Sequence, residues 1–191
     1  MKGRPGMRAV HLTVPALLAV LLGAGATPGC SSAAEQLPYP APEFTHRAPA
    51  EWLNSAPLTL AQLRGKVVLV EFWAFECVNC LNSRAWMEKI AHDQAAAGLV
   101  VVAVHTPELP AERSSDNVRA AVARLGIDYP VMIDGDSSYW NALDNRYWPA
   151  FYTIGRDGKV HGRAYGELHV GDGTARAVEA LIARLLAAGP P

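Results

Sequence analysis

The chain has 191 residues, half of them hydrophobic and 18% charged, with a formal net charge of −1. That balance excludes a nucleic-acid binder working through a basic face and a disordered chain with little apolar surface to bury. Once a terminal segment is set aside, roughly 160 residues remain, about the size of one domain.

Lys2, Arg4 and Arg8 precede an uncharged apolar run from Val10 to Ala26. At about 17 residues with glycines included, the run is short for a membrane span and suits a signal-peptide core. Residues 1–30 are therefore read as a signal segment, with an uncleaved helical anchor as the alternative. Both readings place the domain outside the cytoplasmic membrane, in the periplasm or on the membrane's outer face. Gly29-Cys30-Ser31-Ser32 resembles the lipobox of bacterial lipoproteins, although Thr27 stands where leucine is usual. Cys30 is thus a candidate lipidation site, and an N-terminal anchor is the only membrane contact expected. Ala24-Gly25-Ala26 and Ser32-Ala33-Ala34 offer ordinary cleavage sites instead. Residues 31–50, rich in proline, alanine and serine, read as a flexible tether, leaving 51–191 as the folded domain.

Within that domain, Lys66 to Trp73 is a near-continuous apolar run with β-branched and aromatic residues, the pattern of a strand buried on both faces. Leu81, Ala85, Trp86 and Ile90 then form a helical stripe ended by Gly98. Leu99 to Val104 repeats the buried-strand pattern. Ser115 is positioned to cap a helix with Val118, Ala121, Val122 and Leu125 on its apolar face, closed by Gly126. Pro130 to Ile133 reads as a short strand, and Ser137 or Ser138 opens a brief helix through Tyr139, Trp140 and Leu143. Ala150–Gly155 and Lys159–Tyr165 predict a hairpin across Asp157-Gly158, a type I′ turn signal. Val178, Leu181, Ile182, Leu185 and Leu186 make a last amphipathic helix stopped by Gly189-Pro190-Pro191. Strands alternating with helices make the chain α/β.

There are three cysteines. With Cys30 removed or lipidated, the mature domain keeps Cys77 and Cys80. A disulfide closing so short a loop removes little chain entropy, so chemistry explains the pair better than stapling. Residues i and i+3 share one helix face, which lets the two sulfurs meet. Cys77 falls at a helix N-terminus, where free N–H groups and the positive dipole end favour the thiolate that attacks disulfides. Cys80, one turn in, is placed to resolve the mixed disulfide. A zinc half-site is the alternative, but no second C-x-x-C or H-x₃₋₅-H accompanies it and no metal is expected.

Val70-Glu71-Phe72-Trp73-Ala74-Phe75-Glu76-Cys77-Val78-Asn79-Cys80 resembles the active-site strand and turn of the thioredoxin superfamily. Leu58 to Lys66 and the added helix and strand at 115–133 resemble its redoxin branch, which includes TlpA- and ResA-like proteins. Tyr147-Trp148-Pro149-Ala150 is similar to the periplasmic domain of DipZ-type proteins. The resemblance implies a thioredoxin fold, a central mixed sheet flanked by helices, with an inserted helix–strand unit of TlpA-like type. It implies that Pro149 is a cis-proline facing the redox pair, leaving the backbone of Trp148 to bind substrate. It also makes Glu71 the acid that exchanges a proton with the inner cysteine. Trp73 and Trp148 are assigned to the substrate side, and Glu76 and Asn79 to tuning the sulfurs. Two departures stand out: Val78-Asn79 replaces the Gly-Pro of thioredoxin, and Glu76 stands where tryptophan is usual, a carboxylate that disfavours the neighbouring thiolate.

The expected activity is dithiol–disulfide exchange with protein substrates, with reduction favoured over oxidation. The Cys77–Cys80 disulfide is the only redox group and no further cofactor is expected. Electrons would pass through a membrane donor of CcdA or DsbD type, and the domain is taken as a monomer. A peroxiredoxin-type thiol peroxidase is one alternative, although Ala74 occupies the place of its Thr or Ser. A Sco-like metallochaperone is another, and it would need His161 or His169 as a copper ligand.

Overall fold

The computed structural model describes residues 36–189. The expected signal segment, Cys30 and the start of the expected tether lie outside the described residues. No helix among the described residues is long and apolar enough to cross a membrane.

The sheet grows outward from β3 (Val67–Trp73), whose seven residues are all buried. Burying each such Val, Leu or Phe side chain is worth about 1.5–3 kcal/mol, which fixes this strand in the middle of the domain. It pairs in parallel with β4 (Leu99–His105) and antiparallel with β6 (Ala150–Ile154). β5 (Val131–Ile133) lies parallel to β4, and β7 (Lys159–Tyr165) antiparallel to β6. Two short strands complete the edges, β1 (Tyr39–Pro40) on β7 and β2 (Trp52–Leu53) on β5. The order is β1-β7-β6-β3-β4-β5-β2.

Alternation along β3 sorts the core into two layers. Val67, Leu69 and Trp73 pack with side chains from α1 (Val78–Ala95), α2 (Ser115–Leu125) and α4 (Gly173–Ala187). Val68, Val70 and Phe72 face the opposite layer, closed by Phe44, Trp52, Leu60 and Tyr139 of α3 (Ser138–Ala142). The expected mixed sheet with flanking helices is therefore present, and α2 with β5 forms the inserted unit.

Several expectations change in detail. The tether does not extend to residue 50: Tyr39 enters the sheet, and Phe44 and His46 are buried. These side chains cover a sheet face that would otherwise meet water. The buried stripe of α1 is Cys80, Ser83, Trp86, Met87 and Ile90, with Ala85 exposed, because the helix packs on the face that carries the inner cysteine. α1 reaches its C-cap at Ala96, two residues before Gly98 (φ +101°). Ser114 rather than Ser115 caps α2, accepting from the Asn117 N–H at 3.4 Å. The β6–β7 turn is closed by the Gly158 N–H to the Gly155 carbonyl, and Gly158 (φ +72°), not Asp157, adopts the left-handed conformation. That is a three-residue loop with a bulge at Gly158 rather than a type I′ turn.

Candidate active site

Cys77 is the N-cap of α1, and its Sγ accepts the Cys80 N–H at 3.3 Å. The two sulfurs are joined as a disulfide, with Cα atoms 5.3 Å apart. Cys77 is 8% exposed and Cys80 only 1%. The cysteine a client can reach is thus the one whose sulfur meets the helix N-terminus, where negative charge is favoured. Ser83 locks this turn in place: its hydroxyl donates to the Asn79 carbonyl at 3.0 Å and accepts the Leu168 N–H at 3.0 Å.

Glu71 lies on β3 between Leu69 and Trp73, its pleat directed to the layer that contains both cysteines. Its residue is 4% exposed, so the side chain does not turn out to solvent. Burial pushes its carboxyl up to about 8, against the pull of the Arg84 guanidinium. Arg84 follows Cys80 by one turn of α1 and is held by the Leu125 carbonyl at 2.8 Å and by Glu88. A buried carboxyl that changes charge near neutral pH suits proton exchange with a thiol.

The facing wall comes from the loop before β6. The Trp148–Pro149 bond is cis. The Trp148 indole N–H donates to the Thr106 carbonyl at 3.0 Å. Its ring lies against Trp140, with centroids 4.0 Å apart and planes 31° from parallel. Val78, Tyr147 and Tyr165 add exposed apolar surface to this end of the domain.

The other expected site residues divide. Glu76 and Asn79 are exposed beside the cysteines. Trp73, by contrast, is 3% exposed and packs edge-on against His105, with ring centroids 5.2 Å apart. It packs in the layer that holds both cysteines and so forms the floor beneath them. The inward pleat of β3 decides this, since Trp73 shares a face with Leu69. Of the two histidines considered as copper ligands, His161 bonds Asp157 at 2.9 Å near the hairpin turn, the end of the sheet away from Cys77. His169 bonds Glu167 at 2.9 Å.

Two buried groups escaped the sequence. Glu112, in the 3₁₀ turn Pro110–Arg113, accepts the Glu76 N–H at 2.8 Å, and the Glu108 and Leu109 N–H groups at 2.8 Å each. It thereby pins the backbone just before Cys77. His105 is fully buried and stacks on Phe75, with centroids 5.5 Å apart and planes 21° from parallel. Neither of its ring nitrogens has a hydrogen-bond partner among the described residues. Burial pulls its pKa down to about 4, against the influence of Glu112, so the ring is neutral at pH 7. Nothing in the local sequence marks either residue, because both act on a loop about 30 residues away.

Comparison with known proteins agrees with this geometry. A family model described as Redoxin matches residues 36–182. Protein DipZ of Mycobacterium bovis is 39% identical over 162 residues, 82% of this chain and 22% of that protein. The chain therefore spans about a fifth of the length of that relative. Thiol-disulfide oxidoreductase YkuV of Bacillus subtilis is 30% identical over 126 residues, covering 65% of this chain and 82% of that protein. The solution structure of a thioredoxin-like protein in the oxidized form superposes with a TM-score of 0.67 at 27% identity, covering 80% of this chain and 98% of the other.

Proposed function

The chain belongs to the redoxin family and is a thioredoxin-like thiol–disulfide oxidoreductase; from that premise we propose that it works outside the cytoplasmic membrane as a reductase of protein disulfides. The observation that carries the reading is the asymmetry of the pair: Cys77 is reachable at the N-terminus of α1, and Cys80 is sealed beneath it.

In the reduced form, the Cys77 thiolate attacks one sulfur of a client disulfide. A Cys77–client disulfide forms, the client disulfide breaks, and the departing client sulfur leaves as a thiolate that takes a proton from water. Cys80 then loses its S–H proton to the Glu71 carboxylate and attacks the Cys77 sulfur. The second client sulfur departs, the client has gained two electrons, and the pair is left as the Cys77–Cys80 disulfide. Glu71 ends protonated, the form that its burial favours. The backbone of Trp148, before the cis-proline, holds an extended client segment across Cys77, and Glu76 and Asn79 tune the sulfurs.

Returning the pair to the dithiol needs a two-electron donor, and a membrane protein of CcdA or DsbD type with its own dithiol fits that need. The basic residues and apolar run at the N-terminus support export, with Cys30 as a lipid attachment point. The disulfide is the only redox group this chemistry requires.

The test is the redox equilibrium of residues 35–191 against glutathione, followed by tryptophan fluorescence. A potential below about −220 mV supports a reductase, whereas a value near −120 mV makes the protein a disulfide donor instead. Cys80→Ser, incubated with a disulfide-bonded client peptide, should accumulate the Cys77–client adduct. Absence of any two-electron transition would overturn the reading.

A further inference from the structure

All three backbone and side-chain hydrogen-bonding groups of Thr106 are committed. Its N–H donates to the Trp73 carbonyl at 3.1 Å, its carbonyl accepts the Trp148 indole N–H at 3.0 Å, and its hydroxyl donates to Asp134 Oδ2 at 2.9 Å. Asp134 is fully buried just beyond β5. Its Oδ2 also accepts the Trp140 N–H at 3.0 Å, and its Oδ1 the Tyr139 N–H at 3.0 Å. His46 Nε2 lies 3.1 Å from Oδ1. A buried carboxylate is tolerated only with such a set of donors around it.

The consequence lies at the other end of these bonds. Asp134 holds Trp140 through the backbone of α3, and it holds Trp148 through the hydroxyl and carbonyl of Thr106. The two rings at the ends of these bonds are the ones packed 4.0 Å apart beside the cis Trp148–Pro149 bond. One side chain just past the C-terminal end of β5 is thus linked by hydrogen bonds to the segments that carry both indoles.

We propose that Asp134, acting through Thr106 and the first turn of α3, is a positioning residue for the client: it sets the Trp140–Trp148 pair and hence the backbone on which the client segment lies. The proposal rests on the reading that Trp148 and Pro149 form the client-binding wall. Mere capping of α3 would stabilise the helix without influencing client affinity, since a cap satisfies only local N–H groups.

The test uses reduction of a disulfide-bonded peptide by the full domain, together with circular dichroism of the stacked indoles. Thr106→Val removes the hydroxyl and keeps the shape. It should raise KM for the peptide about tenfold, with a smaller change in kcat, and weaken the exciton signal of the indole pair. Thr106→Ser restores the hydroxyl and should return both readouts to wild type. Asp134→Asn should act like Thr106→Val but more strongly, and if that variant fails to fold the two Thr106 variants decide. Trp140→Phe identifies the exciton signal by abolishing it. A KM that stays within twofold in Thr106→Val, or that Thr106→Ser does not restore, overturns the proposal. Trp148→Ala separates the two levels. If it raises KM while Thr106→Val does not, only the positioning role falls; if it leaves KM unmoved, the client-binding wall itself is wrong.

Discussion

The N–H of Cys80 points at the sulfur of Cys77 from 3.3 Å, so the first turn of α1 is closed by the residue that begins the chemistry. When the disulfide is reduced, that N–H and the helix dipole remain aimed at Cys77 Sγ and favour its thiolate. Alkylation of the reduced protein with iodoacetamide should therefore modify Cys77 first. Cys80, at 1% exposure, should react only after unfolding. Peptide mapping by mass spectrometry reads both rates, and preferential labelling of Cys80 would reverse the assigned roles.

In the proposed mechanism Glu71 ties resolution to stability. Glu71→Gln should slow attack by Cys80 on the mixed disulfide about a hundredfold while leaving the first step with Cys77 largely intact, as stopped-flow mixing would show. The same change should stabilise the fold. The folded carboxyl is raised to about 8, so the wild type is at its best below the unfolded value near 4.5 and loses stability as pH rises towards 8. At pH 7 the difference should reach about 3 kcal/mol in favour of Gln, measured by urea unfolding at constant redox state. Equal resolution rates would remove Glu71 from the mechanism.

Glu112 holds three N–H groups at once, one of them on Glu76 beside Cys77. Glu112→Ala strands those donors, and the cost should be about 3 kcal/mol in unfolding free energy. Hydrogen exchange at the Glu76 amide should rise by orders of magnitude more than exchange in α4. Uniform loss of protection would instead mean simple global destabilisation.

His46 gives the domain a pH dependence of opposite origin. Burial alone would lower its pKa, but hydrogen bonds to Glu51 and Asp134 outweigh that and raise it above 6.5. A raised histidine contributes stability that is complete below pH 6.5 and lost as pH climbs through the folded value. Wild type should therefore lose stability relative to His46→Gln across that window, seen in urea midpoints from pH 5.5 to 8.5. Parallel curves for the two proteins would show that the histidine is not charged in the fold.

The centre of the sheet was legible because β3 and β4 are buried on both faces, which writes near-continuous apolar runs at 66–73 and 99–104. The helices followed from amphipathic stripes, and the turn residues separated the elements. Detail failed where a neighbour decides: the buried face of α1 shifted because Cys80 and Ser83 pack inward, and the depth of Trp73 was set by the pleat of β3. Residues 36–50 read as tether from composition, since proline and alanine carry no sign of the sheet edge that Tyr39 completes.

Sequence by itself located the groups of the proposed chemistry: two cysteines three apart at a strand-to-helix junction, an acid six residues earlier and a proline before the hairpin. Those are local relationships, set by helix periodicity and strand direction. What surrounds the pair belongs to the tertiary structure alone. Glu112 reaches Glu76 from 36 residues away, and Asp134 reaches Thr106 from 28. Hydrogen bonds over such separations leave no periodic trace along the chain, because chain folding, not spacing, brings their partners together.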